Sequence, residues 1–287
     1  MNNITFRRMT VADVEDADEL RRLMGWNQTT ADWRRLLKLS PQGCFVAAKN
    51  GVLLGTVTSI TYDETLSWIG MMLVHPEHRR QGIGRHLMGE VLAYLKGRGV
   101  ACIRLDATPV GLFLYEQLGF VSEWNLTRWQ GQRDRRNHPV KDAAGNTRDL
   151  SEADWADVQE IDKAALGISR ADFIRSLAAD SQLALVWPAR GKVAGWGLLR
   201  GGTNGNYIGP LVSRNNEGAL AIVHKMVSNS GDRSIFWDVP DGNQTATSTA
   251  RQLGFTPLRS LTRMRLGLPV GKSDPQAQFA ISDPSSG

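Results

Sequence analysis

A basic, glycine-rich segment lies where an amphipathic helix is expected to begin. His75–Leu95 has the sequence H-P-E-H-R-R-Q-G-I-G-R-H-L-M-G-E-V-L-A-Y-L, in which apolar residues recur every four positions from Ile83. This spacing predicts a helix that begins near Gly84. The first N–H groups of a helix lack intrahelical partners, its macrodipole is positive at that end, and glycines allow close approach to the backbone. The segment therefore predicts an anion site, most simply for a phosphate group.

Two common nucleotide-binding motifs do not describe this segment. A P-loop requires G-x-x-x-x-G-K-[ST], which the chain does not contain, and a dinucleotide fingerprint requires G-x-G-x-x-G directly after a strand. Here Leu87 stands in the third glycine position, and several residues separate Gly82 from the apolar run that ends at Val74. The anion is therefore expected to be bound by a different motif.

Composition favours a globular protein of two domains. A chain of 287 residues with 41% hydrophobic and 22% charged residues is long enough to form two cores. The N-terminal M-N-N-I-T-F-R-R lacks the apolar core of a signal peptide, and the apolar run Trp68–Val74 is too short to span a bilayer. We therefore expect a cytoplasmic protein without a membrane partner. Cys44 and Cys102 lack metal-ligand spacing and predict two buried, reduced thiols and no metal site.

The net charge of +5 fits nucleic acid, an acidic substrate or a basic solvated surface. Outside the glycine-rich segment the one dense cationic cluster is Arg133–Arg136, in a polar stretch without interleaved aromatic residues. That composition favours a linker over a nucleic-acid groove. We therefore expect no nucleic-acid partner.

An internal repeat divides the chain. Met9–Asp16 matches Leu150–Asp157, and Ala31–Leu37 matches Ala171–Leu177. Further matches follow in the same order. The repeat predicts a first domain at residues 1–132, a linker at 133–146, a second domain at 147–268 and a C-terminal tail at 269–287.

Local signals predict the element order β-α-α-β-β-β-α-β-α-β for the first copy. Thr10 and Thr30 are possible helix N-caps, and Asn50-Gly51 is a strong two-residue hairpin signal. The remaining predicted elements are strands at Ile4–Arg8, Ser67–Val74 and Ala101–Asp106, a helix at Gly111–Leu118 and a last strand that ends near Trp129.

The second copy differs at the positions that matter for chemistry. Where the first copy has H-P-E-H-R-R-Q-G-I-G-R, the second has only S-R-N-N-E-G-A-L-A, with one glycine and an acid in place of the arginines. Ala250 stands where the first copy has Tyr115. We therefore expect the second copy to have lost the anion site, and a reactive side chain too if Tyr115 is one.

Three features in order resemble the GNAT superfamily of acetyl-CoA-dependent N-acetyltransferases. They are a strand that ends L-V-H-P, then R-x-x-G-x-G at Arg79, Gly82 and Gly84, then L-Y-E-Q-L-G-F at Leu114–Phe120. The resemblance covers the first copy nearly end to end. The second copy resembles a degenerate GNAT domain, and its Y-I-G-P-L-V at Tyr207–Val212 is similar to the C-terminal domain of a subgroup of tandem GNAT proteins. The implied fold is α/β (α+β), with two fused domains, each a mixed, mostly antiparallel twisted sheet flanked by helices.

The resemblance implies transfer of an acetyl group from acetyl-CoA to a primary amine, by direct attack in a ternary complex and without a metal. The pantetheine arm would pair with the strand at Met72, Leu73 and Val74, where a backbone N–H would polarise the thioester carbonyl. Tyr115 would protonate the leaving thiolate; its alternative role is a core aromatic. The pyrophosphate would be bound by Arg79, Arg80, Gln81, Gly82, Ile83, Gly84 and Arg85.

No residue stands out as the general base. The strand S-W-I-G-M-M-L-V carries no carboxylate, which leaves Asp63, Glu64, His75 and Asp106 as possibilities. Asp106 has a counterpart, Asp238, in the second copy, which favours a structural role such as capping the turn at Thr108-Pro109. Glu64 is kept as a catalytic candidate, and a water chain would serve equally well.

The acceptor is left open, as a small-molecule or peptide amine. A pocket for it could be lined by tryptophans, namely Trp26, Trp33, Trp68 and Trp129. Packing is the more common role of buried tryptophan. Trp68 is the one that lies beside the expected thioester. The alternative function is a non-catalytic acyl-CoA sensor or interaction module. Either function suits a monomer or a homodimer.

Overall fold

A computed structural model describes residues 3–132, here the first half, and residues 146–287, the second half. The Arg133–Arg136 cluster and nearly all of the predicted linker 133–146 lie outside the described residues. Within the described ranges no helix is both long and apolar enough to cross a membrane.

The first half has the predicted element order. Its first strand has the predicted bounds, and the helix after the glycine-rich segment begins at Ile83, one residue before the predicted start. Thr30 is the first residue of its helix and not the N-cap: the Asp32 carboxylate accepts hydrogen bonds from the N–H and hydroxyl of Thr29, which caps the helix instead. The elements are β1 (Ile4–Arg8), α1 (Val14–Leu23), α2 (Thr30–Leu39), β2 (Phe45–Lys49), β3 (Val52–Tyr62), β4 (Leu66–Val74), α3 (Ile83–Gly97), β5 (Cys102–Ala107), α4 (Pro109–Gln117) and β6 (Val121–Gly131).

The second half repeats this order, as the internal similarity predicts, and adds one short strand at its end. The elements are β7 (Arg148–Asp149), α5 (Trp155–Leu166), α6 (Ala171–Ala179), β8 (Leu183–Ala189), β9 (Lys192–Arg200), β10 (Asn206–Ser213), α7 (Asn216–Asn229), β11 (Ile235–Pro240), α8 (Gln244–Gln252), β12 (Thr256–Gly267) and β13 (Gln278–Ala280).

The two halves exchange their last long strands. The described strands form one sheet in the order β1-β2-β3-β4-β5-β12-β6-β11-β10-β9-β8-β7, with β13 paired to β10. Strand β12 of the second half thus lies beside β5, and β6 of the first half lies beside β11. The sheet therefore does not divide at the boundary that the repeat predicts in the sequence.

Two buried ion pairs connect the exchanged strands. Arg263 of β12 donates to both carboxylate oxygens of Asp106 on β5, at 2.9 and 3.0 Å. Arg128 of β6 donates to both oxygens of Asp238 on β11, at 2.7 and 2.5 Å. Each arginine lies directly opposite its aspartate on the neighbouring strand. Because both pairs cross between the halves, they fix the register of the exchange.

A shared core joins the halves on one face of the sheet. One cluster of buried side chains combines α1 and α2 residues such as Trp33 with α5 and α6 residues such as Phe173. Separate clusters lie under α3 and under α7. Both Cys44 and Cys102 are buried and unpaired, as predicted, and burial raises the pKa of the Cys44 thiol to about 12.

The end of the predicted C-terminal tail is an integral part of the structure. Residues 278–281 are buried, and the segment continues across the first half, where the carbonyl oxygen of Pro284 accepts from Trp68 Nε1 at 3.2 Å. The carbonyl oxygen of Ser286 accepts from the Tyr62 hydroxyl at 2.8 Å. A Cβ at Gly70 would collide with the carbonyl oxygen of Ser285, so this glycine allows the segment to cross β4.

Candidate active site

Strand β4 separates from β5 and opens a wedge between them. The two strands pair in parallel only from Leu66–Trp68. Beyond this point β4 carries a bulge at Met71, whose φ of 47° is left-handed and whose carbonyl oxygen accepts from Thr56 Oγ1 at 2.7 Å. A bulge bends a strand and redirects its side chains. The wedge therefore opens beyond Trp68, and the residues predicted to contact pantetheine, Met72–Val74, follow the bulge on its β4 side.

A cavity of about 60 Å³ lies in the wedge and brings together residues from both halves. Met72 of β4 and Tyr115 of α4 face it from the first half, as the resemblance implies. Trp26, one of the four tryptophans suggested for a substrate pocket, also lines it, whereas Gln28, Arg259, Pro284 and Ser285 line it without having been predicted. They come from the loop before α2, from the exchanged strand β12 and from the C-terminal segment, so only the tertiary structure reveals them.

The N-terminus of α3 lies at the outer end of this wedge and is uncapped. Its N-cap is Gly82, with a left-handed φ of 82°, and no side chain of residues 3–132 or 146–287 caps it. Arg80 also has a left-handed φ, of 58°. The first turn contains no acidic residue, and the backbone N–H groups of residues 80–85 donate to no group in the described chain. These are the properties of an anion site formed by a loop and a helix N-terminus.

The arginine side chains around this N-terminus differ in whether they hydrogen-bond to the described chain. Arg79 Nε donates to the carbonyl oxygen of Val74 at 3.3 Å, and Arg85 donates to Gln117 Oε1. Arg80 is exposed and makes no hydrogen bond or ion pair to a described residue. Gly84 packs closely on β4, because an added Cβ would lie 3.1 Å from Met72 Cε. The helix N-terminus is thus held against the strand end, with Arg80 free to meet an anion.

Tyr115 is both part of the core and part of the cavity wall. It is 8% exposed and packs at 6.0 Å, centroid to centroid, from the Phe120 ring. Its hydroxyl makes no hydrogen bond to a described residue. Burial raises the pKa of this hydroxyl to about 12. The group therefore keeps its proton at neutral pH and has that proton available for a bound ligand.

The candidate bases do not meet in the cavity. Asp63 and Glu64 lie in the exposed turn between β3 and β4, at the opposite end of β4 from Val74, so the fold does not bring Glu64 to Tyr115. His75 directly follows β4 but does not line the cavity.

Asp106 lines the cavity but serves a different structural role from the predicted cap. Its side chain is 0% exposed, and both carboxylate oxygens accept from Arg263. Burial raises the pKa of Asp106, and the arginine opposes that shift. The prediction of a cap for the turn at Thr108-Pro109 was wrong because β12, which brings Arg263, comes from the other half of the chain.

Three of the four tryptophans have packing roles. Trp33 and Trp129 are core residues, and Trp68 is 1% exposed, with the Arg263 guanidinium 4.3 Å from its ring centroid. Only Trp26 among them lines the cavity.

The equivalent wedge in the second half is filled by the chain itself. Strands β10 and β11 pair only over Asn206–Ile208 of β10, and β13 then lies beside β10. Trp237 Nε1 donates to the carbonyl oxygen of Phe279 at 2.8 Å and holds β13 in place. Strand β13 thus takes the position that a paired ligand would occupy in the first half.

The N-terminus of α7 also differs from that of α3. The Asn215 side chain accepts from the N–H of Gly218 at 2.8 Å, and Glu217 lies in the first turn. Pro210, in the bulge of β10, has no N–H to donate. A cavity of about 450 Å³ remains beside β13, but Asp274 lines it and its arginine, Arg214, is paired with Glu160. A carboxylate and an arginine that is already paired do not suit a pyrophosphate, so this cavity does not fit that group.

Each half of the chain matches a family of known proteins. Residues 11–120 match the model of the acetyltransferase (GNAT) family, and residues 158–280 match that of an acetyltransferase (GNAT) domain. The chain is 24% identical over 226 residues to the uncharacterised N-acetyltransferase YitH of Bacillus subtilis (strain 168), covering 77% of this chain and 78% of that protein. It is 23% identical over 232 residues to a holothin acyltransferase of Pseudoalteromonas sp. (strain SANK 73390), covering 80% of this chain and 74% of that protein.

Solved structures share the fold over the whole chain. A putative acetyltransferase from Pyrococcus horikoshii superposes with a TM-score of 0.84 at 24% identity, covering 100% of this chain and 97% of that chain. The predicted fold class is confirmed by this likeness and by the mixed sheet with its flanking helices. The chain therefore belongs to the GNAT superfamily of acetyltransferases, with one GNAT domain in each half.

Proposed function

We propose that this protein is an acetyl-CoA-dependent N-acetyltransferase with its active site in the first half, which acetylates a primary amine by direct attack in a ternary complex. The observation that carries the proposal is the uncapped N-terminus of α3 at the open β4–β5 wedge, next to Tyr115. In the second half the same wedge is filled and the helix is capped. That half therefore has a structural and substrate-shaping role.

The first half offers matching partners for each part of acetyl-CoA. The N–H groups of residues 80–85 and the free guanidinium of Arg80 would bind the pyrophosphate. The backbone of Met72, Leu73 and Val74 would pair with the pantetheine arm, and a backbone N–H of this bulged strand would donate to the thioester oxygen. Gly84 keeps α3 close enough to β4 for both contacts to be made by one ligand.

The chain's own residues supply orientation and a proton. Acetyl-CoA brings a thioester whose carbonyl carbon forms a C–N bond with the amine while its C–S bond breaks. Tyr115 donates its hydroxyl proton to the departing sulfur, because burial keeps that proton in place at neutral pH. The amine loses its own proton to water, since Asp106, the one carboxylate among the described lining residues, has both oxygens engaged by Arg263.

Calorimetric titration of acetyl-CoA tests the proposed binding site. We expect one molecule bound per chain, and no binding to the double variant Arg80→Ala, Gly82→Asp, which removes the free cation and places a carboxylate at the helix N-terminus. Arg214→Ala is the matched control, because it alters an arginine in the equivalent loop of the second half and should leave binding unchanged. Two molecules per chain would contradict the assignment of the second half, and no binding would overturn the proposed function.

The alternative is a non-catalytic acyl-CoA sensor, and one observation favours it: Tyr115 is packed in the core as well as facing the cavity. A sensor would bind acetyl-CoA through the same loop and show no turnover with any amine.

A further inference from the structure

Arg259 lies in the wall of the proposed active site, and the described residues supply no partner for its charge. It lies on β12 and lines the cavity with Tyr115 and Gln28. Its side chain makes no hydrogen bond or ion pair to any described residue, and its Nε is buried without an acceptor. Burial, together with repulsion from Arg128, lowers its pKa to about 10, so the side chain is still charged at neutral pH.

The other charges near this arginine are neutralised. Arg128 is paired with Asp238, and Asp106 is paired with Arg263. Asp283 lies 3.6 Å from Arg200 and accepts from two serine hydroxyls. Among the described residues nothing pairs with Arg259, which therefore gives the cavity a positive charge at a half-buried site, where an unpaired cation is unfavourable.

A bulge in β12 sets the position of this side chain. Pro257 pairs with Trp129 and Arg259 pairs with the adjacent Arg128, so Leu258 is an extra residue between them. Leu258 is 53% exposed, whereas Arg259 is half-buried at the cavity. Bulges commonly redirect side chains next to active sites. The exchanged strand thus carries an arginine from the second half into the site of the first.

We propose that Arg259 binds a carboxylate of a substrate, as a fork of two N–H donors to two oxygens. The inference rests on the proposed function and names the chemistry of its substrate. A guanidinium matches a carboxylate in shape and charge, and a ligand carboxylate would supply the missing partner. The cationic wall also disfavours acceptors whose only charge is an ammonium group, such as polyamines.

The carboxylate has two possible sources, the amine acceptor or the acyl group of the donor. For the acceptor, calorimetry would compare N-acetylglycine with N-acetylglycinamide, both added to protein saturated with CoA. For the donor, it would compare succinyl-CoA with butyryl-CoA, which has the same number of acyl carbons but no carboxylate. We expect the carboxylate member of one pair to bind about tenfold tighter or more, and that pair identifies the source.

The same comparisons in variants test the residue. In Arg259→Met the two members of the discriminating pair should bind with about equal affinity. In Arg259→Lys the carboxylate member should keep part of its advantage, because lysine retains the charge but not the fork of two N–H donors. Arg8→Met, which removes an exposed arginine of β1, should leave the preference unchanged. CoA binding and cooperative thermal unfolding should persist in Arg259→Met, since no side-chain hydrogen bond or ion pair within the described chain is lost.

Two results would overturn the inference alone: no preference in either pair by wild-type protein that binds CoA, or a preference that survives Arg259→Met. Wild-type protein that does not bind CoA at all would overturn the proposed function and this inference together. Activity is not needed for any of these measurements.

Discussion

Tyr115 shows how one side chain can serve packing and chemistry together. Its ring is part of the core beneath α3, while its hydroxyl faces the cavity without a partner in the described chain. Both properties follow from the helix α4, which starts at the end of β5 and directs this residue into the wedge. The same burial that makes the ring structural raises the pKa of the hydroxyl.

Replacing Tyr115 with phenylalanine separates the two roles. We expect Tyr115→Phe to bind acetyl-CoA as the wild-type protein does and to lower kcat by about 10²–10⁴-fold, because the leaving thiolate loses its proton donor. The ring and its packing remain, so stability should change little. Calorimetry and a thiol-release assay would measure the two effects. Wild-type turnover in this variant would return Tyr115 to a purely structural role.

The pH dependence of the wild-type rate provides a second readout. Because burial raises the pKa of Tyr115 to about 12, the protonated donor is fully present through pH 10 and is lost only as the pH rises through that value. At saturating substrate the rate should therefore rise as the amine loses its proton and then stay level up to about pH 10. A decline centred on the ordinary tyrosine pKa would show that this hydroxyl is not the buried donor described here.

Helices α3 and α7 occupy equivalent places in the repeat but have different N-termini. Gly82 leaves the first N–H groups of α3 free. In α7 the Asn215 side chain accepts a hydrogen bond from the N–H of Gly218, and the negative charge of Glu217 in the first turn opposes the positive end of the helix dipole. The strands beside them differ in the same sense, since the wedge beyond β4 is open and that beyond β10 holds β13. Helix caps and one added strand thus account for one proposed site in a chain with two GNAT domains.

The ion pairs between exchanged strands should dominate the local stability of the sheet. We expect Arg128→Met to lower the free energy of unfolding by about 3–5 kcal/mol, because it leaves the buried Asp238 carboxylate without its cation and with the Tyr207 hydroxyl as its remaining side-chain donor. Urea unfolding would measure the change. Arg34→Met is the control: it breaks an exposed pair with Glu15 and should cost only about 0–1 kcal/mol. Equal effects in the two variants would contradict the stabilising role of the buried pair.

The two halves share one sheet and part of one core despite the internal repeat. In the described chain β6 pairs only with β11 and β12, both from the second half, and β5 has β12 as its outer neighbour. The core between α1–α2 and α5–α6 is also shared. Neither half completes its sheet or its core without the other.

Separating the halves tests this interdependence. We expect a fragment of residues 1–132 to fail to fold as a monomer, because β6 would lose both of its neighbours and β5 would have an open edge. Circular dichroism and size-exclusion chromatography would report folding and association. A folded, monomeric fragment would show that the exchange of β6 and β12 is not required.

Local sequence signals determined most elements and the outline of the proposed site. Apolar periodicity, glycines and hairpin residues act between near neighbours in the chain, so the start of α3, the Asn50-Gly51 turn and the degenerate second loop were all predictable. Tyr115 was instead identified through the resemblance of L-Y-E-Q-L-G-F to the GNAT superfamily. Glu64 lies away from the proposed site, because the exposed turn that carries it is at the opposite end of β4 from the wedge.

Only the tertiary structure decided which half supplies the last strand of each sheet. Strands β6 and β12 are copies of one another and each carries a Thr-Arg pair, so Asp106 could pair with Arg128 or with Arg263 on equal local grounds. The observed arrangement is the exchanged one, in which α1–α2 packs on α5–α6 and the C-terminal segment crosses the first half. That choice brings Arg259 and Ser285 to the cavity, which no local pattern could show because the contacts join residues far apart in the chain.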